Sequence, residues 1–98
     1  MNATDEMRDA LTRAGVAVRR RFRDDQFIIE RADVDQELVI RCGPWTPVSG
    51  LRCPFAWDVW TGSHAEDKTR WRKVDNGWAA DVGSMVARVA EFLGEKGR

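Results

Sequence analysis

Two runs rich in β-branched and aliphatic residues, Gln26 to Arg31 and Glu37 to Cys42, stand on either side of the polar stretch Ala32 to Gln36. Such runs suit a pleated, half-buried surface, and a short polar break between them suits a reversal, so they predict neighbouring antiparallel strands. A sheet built on this pair needs apolar cover on at least one face. Both ends of the chain carry the helical periodicity that could supply it. Near the N-terminus Met7, Ala10, Leu11 and Ala14 fall on one helical face, with Thr4 placed to cap, Asp5 and Glu6 at the positive end of the dipole, and Gly15 as a stop. This predicts a helix over about residues 4–14. At the other end Asp81 precedes an apolar stripe of Val82, Met85, Val86, Val89, Phe92 and Leu93, with Gly94 as the stop. The order helix, strands, helix implies an α+β fold: an antiparallel sheet of about four to five strands with the N- and C-terminal helices packed on one face.

The segments between these elements are read from period and turn chemistry. From Val16 the period switches to two, with Val16, Val18 and Phe22 on one side and Arg19, Arg21 and Arg23 on the other. That predicts a strand with a charged outer side. The stripe Met7, Leu11, Ala14, Val18, Phe22 also allows one long helix through Gly15, since a single glycine costs only about 1 kcal/mol. Asp24 and Asp25 suit a turn. Residues 43–52 hold two prolines and two glycines and read as a loop. Phe55 to Thr61 alternates, with Phe55, Trp57 and Val59 facing inwards and Trp60 sharing the outer side with Asp58. Gly62 to Lys68 is a polar loop, Thr69 to Val74 a further strand, and Asn76-Gly77 a type I′ hairpin signal with Trp78 to Ala80 returning.

A length of 98 residues supports one core, so residues 1–98 are expected to form a single domain. Sixteen basic and sixteen acidic residues cancel, which removes the long-range field that draws proteins to polyanions. The first residues carry Asp5, Glu6, Arg8 and Asp9 rather than an apolar leader core, and no apolar run approaches the ~20 residues of a membrane helix. No membrane association and a cytoplasmic location are therefore expected. Thirteen of the sixteen cations are arginine, a pattern of GC-rich coding such as actinobacteria and their phages have. It bears on origin, not on chemistry.

Catalytic and metal-binding signatures are sparse. His64, the only histidine, lies in the polar 62–68 loop with no evident partner for acid–base work. Cys42 and Cys53 have ten residues between them and lack the close pairing of zinc ligands. They could face each other across the intervening loop, but reduced core thiols are the simpler reading for a cytoplasmic protein. No phosphate-cradling glycine loop, serine elbow or paired-carboxylate signature occurs. No catalytic residue, cofactor or metal is expected.

Two clusters stand out. Arg13, Arg19, Arg20, Arg21 and Arg23 concentrate charge, with Arg70, Arg72 and Lys73 around Trp71; such mixtures grip single-stranded nucleic acid, yet nearby acids balance them. The five tryptophans include Trp57, assigned to the core, and Trp45, Trp60 and Trp71, which strand alternation and loop position leave outside it. Clustered aromatic and arginine side chains anchor protein interfaces. The order of elements resembles that of double-stranded RNA-binding domains. The stretch that opens their second helix is basic, whereas here it reads Asp81, Val82, Gly83, Ser84, Met85, so the resemblance stops at element order and assigns no family.

The expectation is a small protein-interaction domain, an inhibitor, adaptor or accessory protein, binding a protein partner or itself as a homodimer. Its contact residues are Trp45, Trp60, Trp71, Arg70 and Arg72, on an outer sheet face left open by the helices. The alternative is a nucleic-acid-binding module using Arg19, Arg21 and Arg23 with Trp71, disfavoured by the balanced charge.

Overall fold

A computed structural model describes residues 3–19, 26–45, 53–62 and 71–94. Helix α1 spans Ala3–Arg13, strand β1 Gln26–Arg31, a single 3₁₀ turn Ala32–Val34, β2 Gln36–Trp45, β3 Cys53–Thr61, β4 Arg72–Ala79 and helix α2 Val82–Gly94. The four strands form one antiparallel sheet in the order β1-β2-β3-β4. The α+β architecture follows the sequence expectation, with the sheet at four strands.

Helix α1 stops where its glycine stands. Gly15 adopts φ 72°, the Val16 amide donates to the Leu11 carbonyl at 3.0 Å and the Gly15 amide to Thr12 at 3.1 Å. That paired arrangement satisfies helix-end carbonyls and turns the chain away, so the long-helix alternative does not hold. Of the expected strand over 16–23 the structure describes residues 16–19, and there it shows one bridge: Arg19 and Ile28 exchange both backbone hydrogen bonds, at 2.8 and 3.0 Å. Arg21, Phe22, Arg23 and the Asp24-Asp25 turn lie outside the described residues.

Alternation divides the sheet. Phe27 and Ile29 of β1, Leu38, Ile40 and Cys42 of β2, Phe55 and Val59 of β3 and Ala79 of β4 form one buried cluster with Met7 and Leu11 of α1 and Met85, Val89 and Phe92 of α2. Both helices therefore cover the same face. Burying each large apolar side chain contributes about 1.5–3 kcal/mol, so these helical positions hold the layers together. Leu93 departs from the expected stripe and is 41% exposed, because it stands a helical step past buried Phe92.

Both ends of α2 are fastened by side chains. The Ser84 amide donates to the Asp81 carboxylate at 2.7 Å, and this hydrogen bond holds the Asp81 pKa below its ordinary value. At the far end Arg31 donates to the Phe92 carbonyl at 3.1 Å, placing a cation against the negative end of the dipole.

Two turn expectations are corrected. Asn76-Gly77 is not a hairpin turn: both residues lie inside one continuous strand, β4. Gly77 pairs with Trp57, and a Cβ built there would come within 2.5 Å of Trp57 Cζ2. The glycine makes room for an indole rather than for a turn. Likewise residues 43–45 belong to β2 rather than to a loop, because a register shift between Cys42 and Trp45 absorbs Gly43-Pro44 and pairing resumes at Trp45 opposite Cys53. Cys42 sits opposite Phe55 as a buried thiol, so the two cysteines are not cross-strand partners. Among the described residues no helix is long and apolar enough to cross a membrane.

Candidate interaction surface

The face of the sheet turned away from the helices is assembled by the second half of the alternation. Ile28 of β1, Glu37 and Val39 of β2, and Ala56 and Asp58 of β3 fall on it. It is not the open surface expected from sequence: all five are buried, Ile28 and Glu37 to 0% exposure. Two of them are carboxylates, which are buried only with compensation. Glu37 accepts from Arg19 at 3.1 Å, and Arg19 also pairs with Glu30. Asp58 faces Arg41 at 3.0 Å and Lys73 at 3.7 Å. Long cationic side chains thus neutralise the two buried carboxylates.

Aromatic groups continue this network towards β4. Lys73 Nζ stands 5.8 Å from the Trp60 ring, and Trp60 meets Trp71 edge to face at 5.8 Å and 70°. Both distances lie within the ranges in which cation–π and T-shaped contacts attract. The structure brings Trp60 and Trp71 together as a half-buried pair. Trp57 lies on the opposite face against the core, with the Arg88 guanidinium 4.3 Å from its ring. The division of these tryptophans between the faces is the one that alternation predicts.

Strand β4 forms one border of the sheet. Arg72, Lys73, Val74, Asp75, Asn76 and Trp78 are all exposed, Val74 and Trp78 to 48% each. Among the described residues no strand pairs with its outer edge. The Asn76 amide donates to the Asp75 carboxylate at 2.9 Å. Because Ile28 exchanges its backbone bonds with Arg19, antiparallel alternation through the pairs Ile28–Val39, Val39–Asp58 and Asp58–Asn76 points the backbone groups of Asn76 away from β3.

Of the sequence-based contact residues, Arg72 lies on this strand and Trp71 immediately before it, while Trp60 abuts it from β3. Trp45 ends β2 and is not in a loop. Arg70, Arg21, Arg23 and His64 lie outside the described residues. Arg19, the described arginine of the nucleic-acid alternative, is engaged by two carboxylates. Sequence reasoning missed Trp78 as an exposed aromatic because the Asn-Gly signal assigned it to a returning strand. It also missed Glu37, Arg31 and Arg88, whose partners come from distant elements; only the outward phase of Glu37 within its strand was readable beforehand. Compared with protein-family models, with curated proteins and with solved structures, the chain matches none.

Proposed function

We propose that this chain is a small protein-interaction module whose contact surface is the β4 border of the sheet. The reading rests on one observation: Val74 and Trp78 lie 48% exposed along a terminal strand whose outer edge pairs with no strand among the described residues. An edge offers a row of main-chain donors and acceptors to an extended segment, and side chains beside it supply selectivity. Trp78 serves as the anchor, since a large aromatic that becomes desolvated on binding carries much of an interface's energy. The Trp60–Trp71 pair acts beside it as a rigid shoulder, and Arg72 and Lys73 steer acidic partners. Roles that fit such a surface are those of an inhibitor, an adaptor or an accessory protein in the cytoplasm. No catalytic group, cofactor or metal forms part of this reading.

The test is a hydrogen-exchange footprint of the complex with a partner captured from the native host. Protection concentrated on residues 72–79 is the expected result. Protection confined to α1 or β1, with β4 unchanged, contradicts the proposal.

A further inference from the structure

Resting on that reading, we infer that the occupant of the β4 edge is a second copy of this chain, paired antiparallel about Asn76 so that two four-stranded sheets become one.

An antiparallel pairing of identical strands is generated by a two-fold axis perpendicular to the sheet, which leaves the helix layers of both copies on one side. Residues directly opposite must then share a face, which restricts the possible registers. With Asn76 opposite its own copy, Val74 lies opposite Trp78 of the second copy, and Trp78 opposite the second Val74. These are the two exposed large apolar residues of β4, and they stand two positions on either side of Asn76. One symmetric contact therefore covers all four. Aromatic and β-branched residues are a favourable cross-strand pair.

Neighbouring registers lose this match. Centring one residue earlier sets Asp75 against Asp75, like charges directly opposed. Centring one residue later sets Val74 against Ala80, which is beyond the end of β4, and shortens the overlap.

Two further features fit the Asn76 register. Val74 is the residue that the register of β4 with β3 skips, between Asp75 opposite Val59 and Lys73 opposite Trp60. The Asn76 amide, bonded to the Asp75 carboxylate in the single chain, is oriented to donate instead to the Asn76 carbonyl of the second copy. Asp75 then keeps its other oxygen on Arg88, at 3.4 Å. Asp75 is thus a brake on pairing, competing for the central edge donor, which is one way that proteins blunt an exposed strand. One strand-to-strand contact is small, so the dimer is weak and forms in the micromolar range or above.

Sedimentation equilibrium of the full chain, from micromolar to millimolar concentration, tests this. A monomer–dimer equilibrium is expected, weakened about tenfold or more by Trp78→Lys and tightened severalfold by Asp75→Asn. Asn76→Pro removes only an outward amide and is expected to abolish the dimer while circular dichroism stays native. Should that variant unfold, Trp78→Lys decides alone. Asn76→Cys, mildly oxidised, should give a disulfide between the two introduced thiols, since paired strands hold opposite Cα atoms about 5.5 Å apart. A dimer indifferent to Trp78→Lys overturns the inference. A chain that stays monomeric while a host partner still protects residues 72–79 overturns self-pairing and leaves the interaction module standing. A monomer whose β4 no partner protects overturns both.

Discussion

The two borders of the sheet are treated in opposite ways. At β1 the chain returns to its own edge: Arg19 exchanges both backbone hydrogen bonds with Ile28, and its side chain holds Glu30 and Glu37. Phe27, Ile28 and Ile29 along that strand are at most 1% exposed. At β4 no such return occurs among the described residues, and the strand presents charged side chains, an open backbone and two exposed apolar groups. Edge strands template unwanted pairing unless they are covered or blunted. Among the described residues one border is closed and the other carries an exposed tryptophan, and the proposed contact at β4 rests on that contrast.

The sharpest way to break this comparison is to truncate an apolar residue at each border. Ile28→Ala removes a fully buried side chain and should cost about 2–5 kcal/mol in urea unfolding, whereas Val74→Ala should change stability by about 0.5 kcal/mol or less. Equal costs at the two positions would mean that β4 is as closed as β1.

A second contrast concerns what holds the open strand from beneath. Trp57 packs over Gly77 and under Arg88 on the core face, while Trp60 lies on the outer face beside Trp71. Trp57→Ala should therefore cost about 3 kcal/mol of folding stability and Trp60→Ala clearly less, with Trp60→Ala instead weakening association. The reverse ranking would put the faces of β3 the wrong way round.

The clamp on the closed border should be worth somewhat less. Arg19→Met takes one cation away from the buried Glu37 carboxylate, a loss of about 1–3 kcal/mol after allowing for the exposure of Arg19 itself. Glu37→Gln in the same background should recover part of it, because the buried charge that Arg19 helped to balance is gone. Absence of any recovery in this double-mutant cycle would remove the charge argument for the closed edge.

The smallest effect is expected where β4 hands over to α2. Asp81 accepts the Ser84 amide, and its pKa lies below the ordinary carboxylate value of 3.8 in the folded chain. A carboxylate whose folded pKa is depressed contributes stability above its unfolded pKa, and that contribution fades as pH falls through the folded value. Asp81→Ala should accordingly lower the melting temperature slightly near neutrality, and the difference from the parent chain should shrink below pH 3.8. A difference independent of pH would contradict the cap.

Much of this fold was legible because local pattern and final environment agree. The two central runs became β1 and β2, the terminal stripes became helices on one face, and the phase of Phe55, Trp57 and Val59 placed them inwards. Gly15 and Asp81 ended and began their helices because capping is decided within a few residues. Asn76-Gly77 misled because turn preference is only the local half of a glycine's meaning. Its actual constraint is the Trp57 ring, which arrives from a neighbouring strand. The outer face was misjudged for the same reason. Alternation shows that Glu37 and Asp58 point outwards, but not that Arg19, Arg41 and Lys73 converge on them. The candidate site was accordingly half readable: Trp60, Trp71 and Arg72 could be named in advance, whereas Trp78 joined them as an exposed aromatic only once β4 was seen as one strand.

Amide hydrogen exchange, resolved by residue in dilute solution, tests most directly whether one border is closed and the other open. The Ile28 amide, bonded to the Arg19 carbonyl, should exchange only through large-scale opening, while the Asn76 amide, held by an exposed carboxylate, should exchange far faster. Raising the protein concentration should then slow Asn76 and leave Ile28 unchanged. Slow exchange at Asn76 in the dilute monomer, or fast exchange at Ile28, would contradict the account.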